Sequence, residues 1–303
     1  MDWFRHGKER PMIRCDAYLE FIGRNPLQQI MLLDEMTWKY FDTGPKLNSQ
    51  GNTIEPLICI HGTSGTAHAF FMQLSELSIK GYRVLSVGYP STWTHDEWVK
   101  SFARFLDHMR IDKAHLYGVS LGGFLAQAFT RAFPRRVCSL VLTHSLCDTS
   151  SFQRNSTLYE GLYAYMPSVY LRELILESFP SEPIMDESIR NAVDFQMSML
   201  DTLDQSELAS RITLNVQAGL SNSICRPGAL RLEDSKITFI DAMDQVSISK
   251  RLREQLYDIY PDAKHADIKS GGDFVYISRY EEVNLHLVVH LHRNGLEILD
   301  LEK

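Results

Sequence analysis

Gly118-Val119-Ser120-Leu121-Gly122-Gly123 is the stretch that decides how this chain is read. Residues 113–117, which feed it, are mostly apolar, as a buried strand is, and residues 124–133, which leave it, carry the amphipathic spacing of a helix. A serine flanked by glycines two before and two after, on a sharp turn from strand to helix, is a nucleophile elbow. Its strained backbone brings neighbouring chain too close for a Cβ at the flanking positions. Ser120 is therefore the candidate nucleophile, with Gly118 and Gly122 as the elbow glycines.

Working outward, strands and helices alternate on both sides of the elbow. Upstream, residues 56–60 read as a buried strand ending at His61-Gly62-Thr63-Ser64-Gly65, followed by a helix over 69–80 that Gly81 stops. A strand over 82–87 and an amphipathic helix over 96–109 lead to the elbow, and 137–143 is the strand after it. Residues 28–33 and 37–42 flank the turn-like Asp34-Glu35 and predict a β-hairpin. From 145 to 235 the alternation gives way to helical periodicity at 158–163, 169–179, 185–203 and 207–216, broken at Pro167, Pro180, Pro183 and Pro227. It resumes with a strand over 236–241, a helix over 250–260, a last strand over 265–269 and a closing helix over 281–293. Alternation of this kind implies a mostly parallel central sheet flanked by helices. With the elbow and the His-Gly loop it predicts an α/β-hydrolase fold with a helical cap inserted between late strands. The expected division is an irregular N-terminal arm over 1–27, a core over 28–147 and 236–303, and the cap over 148–235.

Composition bounds the function. The chain has 303 residues, 44% hydrophobic and 23% charged, with a formal net charge of -7. That balance suits an ordinary globular protein and leaves no basic stripe to neutralise phosphates, so no nucleic-acid partner is expected. The first ten residues lack an apolar signal segment, and no run approaches a membrane span, so a cytosolic protein is expected, with peripheral membrane association left open. Cys15, Cys59, Cys138, Cys147 and Cys225 are odd in number and lack C-x-x-C spacing, which predicts free thiols in a reducing compartment. No metal-ligand cluster and no cofactor motif appears.

The remaining site residues follow from position. The loop after the first buried strand supplies a backbone N–H, from Thr63 or Ser64, which with that of Leu121 forms an oxyanion hole. His61 is expected to pack the loop. An acid is expected just past the strand 236–241, in Asp241-Ala242-Met243-Asp244-Gln245: Asp244 first, Asp241 as the alternative. The catalytic histidine of such a site belongs in the loop after the last strand, which reads Ser270-Gly271-Gly272-Asp273-Phe274-Val275-Tyr276. Asp273 stands in the histidine's place. An ordinary aspartate, with a pKa of about 3.9, is a poor base for a serine hydroxyl. Two rescues are open: Asp273 beside Asp244 as a like-charge pair with one raised pKa, or His144 as a base, although His144 packing under the cap is the plainer expectation.

Beyond the elbow, the chain resembles the maspardin family, divergent proteins of the α/β-hydrolase fold. The resemblance runs from about 28 to 292. It is closest at Tyr117-Gly118-Val119-Ser120-Leu121-Gly122-Gly123-Phe124-Leu125-Ala126-Gln127, at Gln205-Ser206-Glu207-Leu208-Ala209-Ser210-Arg211 with Thr213-Leu214-Asn215, and at Ser270-Gly271-Gly272-Asp273-Phe274. The cap segment is the more specific part, because elbows are shared across the superfamily. What the resemblance implies is a cytosolic protein that also associates with late endosomal and trans-Golgi membranes and binds other proteins, among them a T-cell co-receptor's cytoplasmic tail and an aldehyde dehydrogenase-like partner. The family also lacks a histidine at this loop, where asparagine is expected; Asp273 makes a paired-carboxylate site peculiar to this chain. Two readings compete. One is a non-catalytic adaptor whose pocket holds a small acyl or carboxylate ligand. The other is a serine hydrolase for an ester, thioester or lipid with an unusual base.

Overall fold

The structure, a computed structural model, describes residues 15–149, 161–180, 186–217 and 220–296. Strands β1 (Gln28–Met31), β2 (Thr37–Thr43), β3 (Leu57–Ile60), β4 (Val84–Gly88), β5 (Ala114–Val119), β6 (Val137–Thr143), β7 (Ile237–Ala242) and β8 (Lys264–Ile268) form one sheet in the order β1-β2-β4-β3-β5-β6-β7-β8. The predicted hairpin β1–β2 is antiparallel and β2 joins β4 antiparallel; every later pairing is parallel. β3, β4, β5 and β7 are buried along their whole length. That is why they read as continuous apolar runs, since a parallel sheet is covered on both faces.

Helices α1 (Asp16–Arg24), α2 (Phe71–Ile79), α3 (His95–His108) and α4 (Leu121–Ala132) precede the cap, and α5 (Ser168–Leu176), α6 (Glu187–Asp201), α7 (Gln205–Val216) and α8 (Ser221–Ile224) lie within it. α9 (Lys250–Ile259), α10 (Val275–Ser278) and α11 (Tyr280–Arg293) complete the chain. Parallel strands point their C-terminal ends the same way, so the loops after β3, β5, β6, β7 and β8 gather at one edge of the sheet. Ligand sites of open α/β sheets lie at that edge.

Three expectations change. The arm expected to be irregular contains α1: Tyr18 and Phe21, one helical turn apart, are buried against the rings of Phe71, Phe195 and Phe41 at centroid distances of 5.1–6.2 Å. A nine-residue helix is marginal alone, so packing against these aromatics is what holds it. Residues 1–14 fall outside the described residues. Cys147 and Cys225, expected as free thiols, form a disulfide with Cα atoms 5.2 Å apart; Cys15, Cys59 and Cys138 are free. The chain leaves the sheet after β6 and returns before β7, which brings together two cysteines that lie 78 residues apart in sequence. Of the helix expected over 158–163, only 161–163 is described; residues 163–165 form a single 3-10 turn.

The cap has a small core of its own, built on Leu171, Ile175, Leu200, Leu208 and Ile212. It is also fastened to the sheet layer. The Ser210 hydroxyl accepts the Thr92 N–H at 2.9 Å and donates to the Thr92 carbonyl at 2.7 Å, and the ring of His95 meets the Leu214 carbonyl at 2.8 Å. Phe195 of α6 packs into the main core beside Phe71.

Candidate functional site

The elbow is built as its sequence demands. Ser120 has φ +51° and ψ -121°, a left-handed backbone that costs a non-glycine residue on the order of 1–3 kcal/mol and persists only where the surroundings enforce it. A Cβ at Gly122 would overlap the Ile60 and His61 carbonyls, and one at Gly118 would meet the Gly123 backbone, so both positions require glycine. A cavity of about 640 Å³ opens above the serine, beneath the cap. Its polar lining includes Ser120, Thr63, Ser64, His144, Asp273 and, from the cap, Glu177, and side chains of both core and cap supply apolar walls.

The loop after β3 reaches the elbow: a Cβ at Gly62 would lie 3.1 Å from the Ser120 Cβ and 3.6 Å from its Oγ. Thr63 and Ser64 line the cavity, and among the described residues their N–H groups make no hydrogen bond within the protein. The Leu121 N–H opens α4 and has no intrahelical acceptor. These donors are where an oxyanion hole is expected. His61 packs the loop as anticipated: it is buried, its Nδ1 lies 2.8 Å from the Gly62 carbonyl, and its ring stacks on Tyr89 at 4.3 Å. Burial, and then the positive charge of Arg211, hold its pKa well below the usual histidine value.

Arg211 is the residue that sequence reasoning passed over. Buried on α7, its guanidinium donates to the Gly65 carbonyl and lies 5.5 Å from the centre of the Tyr89 ring, so a cap helix holds the loop that carries Thr63 and Ser64. Desolvation lowers its pKa. The available signal is a cation in the run Leu208, Ala209, Ser210, Ile212, where every neighbour is apolar or small.

The acid and base positions come out differently from expectation. Asp244 does not face a histidine. Its carboxylate accepts the N–H groups of Gly271 and Gly272, both at 2.9 Å, and the Ser270 hydroxyl at 2.8 Å. Desolvation opposes ionisation there, but these hydrogen bonds outweigh it and hold the Asp244 pKa below the ordinary carboxylate value. The raised partner that a like-charge base requires is therefore not Asp244. Asp241, the alternative acid, is also committed: one oxygen accepts the His144 N–H at 2.6 Å and the other accepts the Tyr257 hydroxyl at 2.5 Å.

Asp273 lines the cavity and is 7% exposed. Its Oδ1 accepts the N–H groups of Val246 and Ser247 at 2.9 and 2.8 Å, while Oδ2 is buried without a partner. The two loops thus clasp each other: Asp244 of one holds 271–272, and Asp273 of the other holds 246–247.

His144, the other candidate base, is fully engaged. The Ala242 N–H can only donate, so Nε2, 2.8 Å away, must accept; the proton then sits on Nδ1, which donates to the Asp273 carbonyl at 3.1 Å. Both ring nitrogens are spent on backbone groups, which leaves none for Ser120. Among the described residues no side chain makes a hydrogen bond with the Ser120 hydroxyl.

Comparison with known proteins agrees with this architecture. The alpha/beta hydrolase fold family matches residues 55–172. Maspardin of Homo sapiens is 41% identical over 279 residues, covering 90% of this chain and 86% of that protein. The chain belongs to the maspardin family. Maspardin of Danio rerio is likewise 41% identical, over 278 residues, covering 90% of this chain and 85% of that protein. Among solved structures, a thermophilic esterase from Thermogutta terrifontis superposes with a TM-score of 0.70 at 16% identity, covering 88% of this chain and 98% of that one. At that identity the likeness is one of fold. This maspardin-family chain therefore has a hydrolase-type elbow and cavity, in which both ring nitrogens of the nearby histidine are bound to backbone. Among its described residues no helix is long and apolar enough to cross a membrane.

Proposed function

We propose that this maspardin-family chain is a non-catalytic α/β-hydrolase-fold binding protein, an adaptor with a negative-regulator character in endosomal and trans-Golgi trafficking and receptor signalling, in which Asp273 stands in place of the catalytic histidine. The observation that carries the non-catalytic part is His144: its Nδ1 and Nε2 are both bound to backbone, and among the described residues no other histidine lines the cavity that holds Ser120. Losing the base of a serine triad costs on the order of a millionfold in kcat, about 8 kcal/mol of barrier. The trafficking role, the cytosolic and endosomal location, and the partners (a receptor's cytoplasmic tail and an aldehyde dehydrogenase-like protein) rest on the family resemblance. The cap and its rim are the surface assigned to such partners, and the cavity the place for a small ligand.

A serine hydrolase is the second reading, favoured by the strained φ at Ser120 and by the unpaired N–H groups of Thr63 and Ser64. Turnover of short- and medium-chain p-nitrophenyl esters separates the two. The adaptor reading expects the same slow background from the natural chain and from Ser120→Ala. A rate well above that of the Ser120→Ala protein establishes the hydrolase instead.

A further inference from the structure

Beside Ser120 and Asp273 the cavity presents two kinds of polar group, while Glu177 and Ser178 of the cap are exposed to solvent. Among the described residues the Thr63 and Ser64 N–H groups are unpaired, and the Leu121 N–H stands beside Ser120. These groups suit an acceptor such as a carbonyl oxygen. Asp273 is the reverse. Val246 and Ser247 saturate its Oδ1, and its Oδ2 is a buried acceptor with no donor. The walls between cap and core are apolar, formed by Leu174, Ile175, Phe179, Ile212, Val216 and Phe274.

We propose that the cavity binds an uncharged amphiphile whose head group carries both an acceptor and an N–H or O–H donor, with the primary carboxamide of an aliphatic chain as the head that satisfies both. A buried acceptor left unpaired is costly, so a ligand that brings it a donor gains what a purely accepting ligand forfeits. A carboxylate head sets a second negative charge beside Asp273 and brings no donor. An ammonium head gives the Thr63 and Ser64 N–H groups nothing to bond. The amide oxygen meets the N–H groups, the amide NH2 meets Oδ2, and the chain lies along the apolar walls. The inference rests on the reading of this cavity as one that binds without turnover.

Calorimetric titration of the full chain with octanamide, octanoate and octylamine tests it. Octanamide is expected to bind at least about tenfold more tightly than either charged analogue, the difference made by one buried hydrogen bond to a charged group. Asp273→Asn keeps an oxygen for Val246 and Ser247 but replaces Oδ2 with an NH2 donor, so it is expected to weaken octanamide and favour octanoate. Octanoate binding the natural chain as tightly as octanamide overturns the proposal, as does an order unchanged in Asp273→Asn or an absence of binding by all three. If Asp273→Asn does not fold, the order on the natural chain decides. Octanoate recovered from the octanamide sample, and absent with Ser120→Ala, overturns the non-catalytic reading while leaving the head-group preference intact.

Discussion

At Asp244 the difference between a catalytic acid and a structural one comes down to what its oxygens touch. They touch the Gly271 and Gly272 N–H groups and the Ser270 hydroxyl, all in the loop after β8. Asp244→Ala is expected to destabilise the fold by about 1 kcal/mol, a modest loss because the side chain is exposed. It is also expected to speed hydrogen exchange at 270–273, which a role confined to chemistry leaves untouched. Guanidinium titration and exchange mass spectrometry check both. The residue types of the site could be read from the sequence: Ser120, Thr63, Asp244 and Asp273 each lie at the sheet edge where position put them. Their bonding could not, because the partners of Asp244, Asp273 and His144 are backbone N–H and carbonyl groups, which every residue carries and no pattern distinguishes.

Among elements, α7 does more than cover the site. Ser210 and Leu214 fasten it to Thr92 and His95, and Arg211 reaches through to the loop after β3. Arg211→Ala removes a charge-assisted hydrogen bond and the packing over Tyr89, and is expected to cost about 2–3 kcal/mol. It should also raise exchange at 62–65 more than at the sheet strands. A melting curve paired with exchange data decides whether the helix holds the loop. The periodicity of strands and helices made most elements legible, since burial on both sheet faces and on one helix face leaves a period in the sequence. α1 escaped because two rings, Tyr18 and Phe21, are too few to mark a period and gain their meaning from Phe71 and Phe195 far along the chain. The Cys147–Cys225 bridge escaped for the same reason: it depends on where two distant ends of the cap meet.

Across the whole molecule, buried histidines tie stability to pH. His115 and His290 share the Ser139 hydroxyl at 2.6 and 2.7 Å, and His290 also meets Thr238 at 2.7 Å. Burial lowers the His115 pKa to about 4 and, with the charges of His115 and Arg293 adding to it, the His290 pKa to about 3. In the unfolded chain both titrate near 6.5. The unfolded state therefore binds more protons below that pH, so stability is full above it and falls as pH drops from about 6.5 towards the folded values. Denaturant titrations are expected to show about 2 kcal/mol less stability at about pH 5.5 than at about pH 7 from these two groups; equal stability at both contradicts their being buried neutral. The same sheet that buries them sets Ser120 at its C-terminal edge, where among the described residues no side chain makes a hydrogen bond with the serine hydroxyl and both ring nitrogens of His144 are taken by backbone groups. The most direct test of that claim is the rate at which a fluorophosphonate labels the natural chain beside Ser120→Ala. The account predicts equal, negligible labelling of both, whereas rapid labelling that Ser120→Ala abolishes contradicts it.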